Sequence, residues 1–346
     1  MKFRLSRTRV PLLATSAVFA LFYTGACMRY DGFFSWTVFV NLLHDNAFLG
    51  LAAIGMTFVI LAGGIDLSVG ALVGFTSTFI ARLIAHQLHP LPAILIALVI
   101  GTGFGAGMGA LIRFAALPPF LVTLAGMFFM RGLGFAVSLE TIPIKHPFYE
   151  AISEFSLRVF PVTALLFLVA LIAAVYLAHY TRFGRAVYAI GGNEQSALLM
   201  GLPVGRTKVR VYALSGFCSA LAGVTYTFYT SSGNATAGTM LELDAIAAVV
   251  IGGTLLSGGV GYVFGTLIGV LILGVIQTII TFQGTWSSWW TKIAIGVLLL
   301  AFILLQRFLQ SSAGRGGSGV ANPAMARNLP VILPSLSASC FLTILN

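Results

Sequence analysis

The sequence predicts an all-α polytopic membrane protein of about ten transmembrane helices, with pseudo-symmetric halves and glycine-broken segments. Three observations carry that expectation. The 346-residue chain is 58% hydrophobic and 8% charged, with a mean hydropathy of +1.00. Its apolar runs recur near the ~20 residues that cross a bilayer. Two distant segments, Gly63–Gly70 (GGIDLSVG) and Gly252–Gly259 (GGTLLSGG), share the pattern G-G-x-x-L-S-x-G, each after an Ala/Ile/Val-rich run. Paired glycine interruptions point to broken helices beside a transport path. A chance likeness between glycine-rich membrane helices is the alternative.

The spans read as Val10–Met28, Asn46–Ala62, Val69–Ala85, Pro92–Ile112, Pro119–Ser138, Pro161–His179, Val211–Thr230, Asp244–Leu256, Tyr262–Phe282 and Ser288–Leu305. The first reads as an uncleaved anchor, because Thr24 stands where a lipoprotein cleavage site before Cys27 usually carries Leu. His44, Asp45 and Asn46 are expected to cap the second span from outside. In the fourth, Gly101, Gly105 and Gly109 make one smooth face at i, i+4 spacing, and Gly103 and Gly107 make another. These suit close helix packing, and no G-x-x-x-x-G-K-[ST] nucleotide loop occurs. Charged groups at membrane depth are costly, so Asp66 in the first glycine motif and Arg131 in the fifth span are leading candidates for function. Gly63, Gly64, Ser68, Gly252, Gly253 and Ser257 join them as candidates for the path or its gate, and Glu242 and Asp244 stand just before the second motif. Helix capping or packing salt bridges are the alternative for these charges.

The segment Thr181–Arg210 (TRFGRAVYAIGGNEQSALLMGLPVGRTKVR) is the long hydrophilic stretch of the chain, with Arg182, Arg185, Arg206, Lys208 and Arg210. In its middle, Asn193 is placed to N-cap a short helix, Glu194 suits the positive end of the helix dipole, and Gly201 supplies a left-handed stop. Such a helix suggests docking to a cytoplasmic partner. The outer loop from Glu140 to Phe160 is either a surface for an extracytoplasmic partner or a solvated connection. Trp289 and Trp290, beside Lys292, look like interfacial anchors.

An even number of spans puts both termini on one side. With that side cytoplasmic, it receives Lys2, Arg4, Arg7, Arg9, Arg113, the basic residues of 181–210, Arg307, Arg315 and Arg327, against Arg29, Arg82, Lys145, Arg158 and Lys292 outside. This flank charge accounts for the net +10 without a nucleic-acid partner. Cys27, Cys218 and Cys340 have no metal or disulfide spacing. No H-E-x-x-H, G-x-S-x-G or clustered His/Cys set supports an enzyme, so passage of a solute is favoured. A secondary sugar or ion transporter would use Asp66 or Asp244 as a proton or cation site. The chain divides into a transmembrane permease domain, 1–307, and a flexible cytoplasmic tail, 308–346, whose Pro330 and Pro334 oppose an eleventh span.

Four segments carry a family resemblance: Leu61–Phe75 (LAGGIDLSVGALVGF), Pro118–Leu133 (PPFLVTLAGMFFMRGL), Thr181–Leu202 and Glu242–Gly261 (ELDAIAAVVIGGTLLSGGVG). In that order they resemble the permease subunits of bacterial ABC importers for monosaccharides, the ribose/galactose/xylose group. The resemblance spans about Val10 to Gln306. Within the group, Ser287–Gly296 (SSWWTKIAIG) and the GMFFMRG segment are most similar to the galactofuranose permease of enteric bacteria.

The resemblance implies an inner-membrane subunit working with a second permease subunit, a cytoplasmic ATP-binding subunit that holds ATP-Mg, and a periplasmic sugar-binding protein, with no cofactor on this chain. It also implies that the short helix sits in a cleft of the ATPase and transmits its stroke, through Gly192, Asn193, Glu194, Gln195, Ser196, Ala197 and Gly201. The wider importer signature E-A-A-x-x-x-G is matched loosely, with Gln195 in place of Glu and Glu194 one position early.

Overall fold

The computed structural model of the chain describes residues 10–158, 160–284, 287 and 289–314, and they are overwhelmingly helical. In chain order the helices are α1 (Val10–Arg29), α2 (Trp36–Asp45), α3 (Ala47–Leu61), α4 (Val69–Ala85), α5 (Pro90–Phe114), α6 (Pro119–Val137), α7 (Pro147–Arg158), α8 (Val162–Tyr180), α9 (Arg182–Gly192), α10 (Glu194–Leu199), α11 (Val204–Thr230), α12 (Leu241–Ile251), α13 (Val263–Gln283) and α14 (Trp289–Gly314). Two-residue strands β1 (Ile142–Pro143) and β2 (Ser232–Gly233) pair antiparallel.

Among the described residues, seven helices are long and apolar enough to cross a membrane alone, and eight if α2 and α3, bent by 55° at Asn46, count as one span. The expected ten is not reached by this measure, because α4, which has the bounds expected of it but only 17 residues, and α12, with 11, are too short to cross alone. The capping expected before the second span is also corrected. Asn46 makes no side-chain cap for α3; its Nδ2 donates instead to the Leu42 carbonyl at 2.9 Å, within the bend.

Helix α3 is the centre of the first compact unit, Met1–Leu304, and is buried from Ala47 to Leu61 except at Phe48. It packs against α11, α12, α8 and α13. Helix α11 lies antiparallel along α5, where Gly101 faces Ala220, Gly105 faces Tyr212 and Gly216, and Gly109 faces Val209. Small residues allow this close backbone approach, which is how helices associate where no solvent drives them together. Only that glycine face of α5 is used: Gly103 and Gly107 look into open space. Helix α14 runs on through Gly314, past the expected domain end at 307, because no proline interrupts Arg307–Ala313. The remainder of the expected tail, 315–346, lies outside the described residues.

The two glycine motifs build the same turn. In the first, Gly63 N–H donates to Ile60 O and Gly64 N–H to Val59 O, both at 2.9 Å. In the second, Gly253 N–H donates to Val250 O at 2.9 Å and Thr254 N–H to Val249 O at 3.2 Å. Both are Schellman closures of a helix end, with the left-handed position at Gly63 (φ 78°) and Gly253 (φ 91°). The structural register thus pairs Gly63 with Gly253, one residue off the match of the sequence pattern.

Candidate functional site

The two glycine turns meet. Gly259 N–H donates to the Leu61 carbonyl at 2.9 Å, and a Cβ placed on Gly258 would lie 2.9 Å from the Gly63 Cα. The C-terminal end of α9 enters the same crossing: a Cβ on Gly191 would collide with Leu61 O, and one on Gly259 would lie 2.6 Å from Gly192 N. Three backbones therefore touch where side chains would keep them apart. Tyr188 on α9 adds a tether, its Oη donating to Gly261 O at 2.9 Å. Burial, followed by the nearby Tyr262, pushes that phenol up to about 12, so it stays protonated and remains a donor.

Helix α10 hangs directly from this crossing. Asn193 is its N-cap, with Oδ1 accepting from Ser196 N–H at 2.8 Å, and Gly201 beyond its end has φ 77°. Glu194 pairs with Lys208 Nζ of α11 at 2.7 Å, an exposed bridge worth under about 1 kcal/mol. Ala197 is fully buried against Ile190 and Val204, which fixes the inner face of the helix. The outer face is apolar: Leu198, Leu199 and Met200 are 57%, 88% and 70% exposed. Gly192, Gln195 and Ser196 are exposed beside them, and Arg182 and Arg185 of α9 and Arg206 and Arg210 of α11 are exposed as well. The apolar Leu198-Leu199-Met200 tip was not singled out by the sequence reading. Three apolar residues between an N-cap and a stop glycine, in an otherwise polar loop, were its signal.

Asp66 and Arg131 are not brought together. Asp66 is 1% exposed, and its carboxylate accepts from Ser68 N–H (3.0 Å), Ser68 Oγ (2.7 Å) and Ser215 Oγ of α11 (2.7 Å). Arg131 Nη1 donates to the carbonyls of Ala235 and Ala237 and to Thr239 Oγ1, at 3.1–3.3 Å. Glu242 is buried beside Arg131, with Oε2 lacking a hydrogen-bond partner among the described residues. In the second motif Leu255 takes the place of Asp66, and Ser257 is exposed where Ser68 is buried.

A cavity of about 830 Å³ opens at the other end of α3 and α11. Its wall includes Asn41 and Asp45 of α2, Tyr226 and Tyr229 of α11, Gln277, Thr278 and Thr281 of α13, and Trp289 and Lys292 of α14. Lys292 Nζ pairs with Asp244 Oδ2 at 2.6 Å. Of the sequence candidates for transport only Asp244 lines this cavity; Gly63, Gly64, Asp66, Ser68, Arg131, Gly252, Gly253 and Ser257 do not. Arg131 reaches it only indirectly, by holding Ala237 and Thr239 of its wall. Trp289, expected as an interfacial anchor, is one of the lining residues. Polar groups on otherwise apolar helices, Asn41/Asp45 and Gln277/Thr278/Thr281, were the available signal.

A family model described as "Branched-chain amino acid transport system / permease component" matches residues 38–303. The "Inner membrane ABC transporter permease protein YjfF" of Escherichia coli K12 is 53% identical, over 88% of this chain and 93% of its own length. The "Ribose import permease protein RbsC" of Bacillus subtilis is 43% identical, over 78% and 84%. The "Fructose import permease protein FruG" of Bifidobacterium longum is 35% identical, over 90% and 95%. No solved structure matches the chain.

Proposed function

Since this chain belongs to the ABC-transporter permease family of branched-chain amino acid transport system / permease components, we propose that it is the membrane-spanning subunit of a bacterial monosaccharide importer, with galactofuranose its substrate. The observation that carries the reading is the attachment of α10 to the crossing of the two glycine turns. A short helix with an apolar outer tip and a buried inner face is suited to fill a cleft on another protein. Because its root, Gly191–Gly192, touches Leu61 at the end of α3 and Gly258–Gly259 in the connection that follows α12, a push on α10 reaches α3 directly and that connection with it.

The partner at α10 is a cytoplasmic ATP-binding subunit, which holds ATP-Mg and hydrolyses it; this chain contributes no catalytic group. A second permease subunit and a periplasmic sugar-binding protein complete the assembly. The chain sits in the bacterial inner membrane with both termini cytoplasmic, so that α10 faces the ATPase and the cavity faces the binding protein. Gly192, Asn193, Glu194, Gln195, Ser196, Ala197 and Gly201 form and orient the docking helix, while Leu198, Leu199 and Met200 supply the contact. Gly63, Gly64, Gly252, Gly253 and Ser257 form the moving turns. Asp66 and Ser68 hold the first turn to α11, and Arg131 supports the cavity wall.

The test is uptake of labelled galactofuranose, ribose, fructose and leucine into proteoliposomes carrying the assembled transporter, with and without ATP inside. ATP-dependent uptake of galactofuranose ahead of the other sugars is expected. Uptake of leucine alone would overturn the sugar assignment, and uptake driven by an ion gradient without ATP would overturn the importer.

A further inference from the structure

We propose that the cavity between α2, α11, α13 and α14 is a binding site for one uncharged monosaccharide within the permease itself, so that substrate selection does not rest on a soluble binding protein alone. The inference rests on the importer reading above and extends it to named residues.

Size, free hydrogen-bonding groups and charge converge on that ligand. The cavity's volume of about 830 Å³ falls in the ~300–1,000 Å³ range of small-molecule sites. Asn41, Gln277 and Thr291 line it and make no side-chain hydrogen bond to another described residue. A carboxamide presents two donors and an acceptor, which matches a ring bearing adjacent hydroxyls that each give and take one bond. Phe48, Tyr226 and Tyr229 form an aromatic wall, with ring centroids 5.7 Å and 6.2 Å from Phe48, and Trp289 stands at the opposite helix. Aromatic faces accommodate the C–H faces of a sugar ring while the hydroxyl edges turn to the amides.

Charge decides against anionic ligands. The wall holds the carboxylates of Asp45 and Asp244 and one ammonium, Lys292, which is already taken by Asp244. A phosphate entering here meets net negative charge with no unpaired cation among the described lining residues. A neutral ring leaves the Asp244–Lys292 pair intact and gains bonds from groups that have no protein partner to give up.

The experiment uses Gln277→Cys and, independently, Thr281→Cys in the full chain with its partner subunits, in right-side-out vesicles. The rate of modification by a membrane-impermeant methanethiosulfonate is followed with galactofuranose, ribose, ribose 5-phosphate or leucine present. At twice the Kd a ligand that covers the site should slow labelling roughly threefold. Protection of either cysteine by the neutral sugar that the vesicles take up, with none from the sugar phosphate or leucine, is expected. Equal rates with and without that sugar at both positions would overturn the site, and protection by ribose 5-phosphate or leucine would overturn its ligand class. If the unsubstituted transporter takes up no monosaccharide at all, the importer reading itself fails, a result distinct from active uptake without protection.

Discussion

At the scale of single residues, the carboxylate of Asp66 accepts three hydrogen bonds and reaches almost no solvent. That geometry suits a fastener between the first glycine turn and α11 better than a gate or a proton carrier, which has to be reached by what it carries. Asp66→Leu leaves Ser68 N–H and the Ser68 and Ser215 hydroxyls without their acceptor, at about 1–3 kcal/mol for each buried group left unsatisfied. Its thermal unfolding temperature and membrane abundance should fall together, and Asp66→Asn should recover part of both. Normal abundance with uptake abolished in both variants would instead place Asp66 on the transport path. Asn193→Ala removes one N-cap bond, costing about 1 kcal/mol locally, and should weaken ATPase binding without changing the stability of the bundle. The cap at Asn193 and the stop at Gly201 were legible in the sequence because capping is a local chemistry of a few neighbouring residues. The partner of Asp66 was not, since Ser215 lies 149 positions away and no spacing rule connects them. Asp66 and Arg131 were singled out together only for their shared cost in a membrane, and each is satisfied by different neighbours.

At the scale of elements, the crossing of the two glycine turns with the end of α9 makes a rigid joint out of what reads as three separate loops. Gly191→Val sets a branched side chain against Leu61 O and the Gly259 amide, so it should displace α9–α10 while the long helices still pack. We expect a protein of near-normal membrane abundance whose ATPase activity no longer drives uptake, measured as sugar moved per ATP hydrolysed. Unchanged stoichiometry would mean that the contact carries no motion. Tyr188→Phe deletes only the bond to Gly261 O and should lower the same ratio less. Because burial holds this phenol near 12, its bond persists as pH rises, and the contribution of Tyr188 should be flat from roughly pH 6 to 9. The repeated G-G motif was visible in sequence, but each copy closes the end of a helix, whereas the one bent span among the described residues breaks at Asn46. The motif's register was not visible: identical letters aligned Gly63 with Gly252, whereas the need for a left-handed residue two positions past the last helical residue aligns Gly63 with Gly253.

At the scale of the whole molecule, α10 and the cavity occupy opposite ends of α3, about 22 Å apart along its 15 residues, with the glycine crossing at the α10 end. Helix α3 is buried on nearly every side, so it transmits displacement as a packed rod rather than absorbing it. The fold class was legible because hydropathy reports each apolar run directly. The span count was less so, since apolar composition marked α4 and α12 as spans although their 17 and 11 residues are short for a crossing of their own. The cavity showed in sequence only as scattered polar positions, because it is assembled from residues on helices far apart in the chain.

The claim on which the rest depends is that α10 transmits ATP hydrolysis to the bundle, and Leu199→Asp tests it most directly. Leu199 is 88% exposed, so an aspartate there should leave folding intact while placing a charge in the apolar contact. The measurement is ATP-driven monosaccharide uptake by proteoliposomes matched for transporter content. The account predicts uptake reduced at least about tenfold, equivalent to about 1.4 kcal/mol of lost contact, with the variant present in the membrane at the parental level. Parental uptake by Leu199→Asp would contradict it.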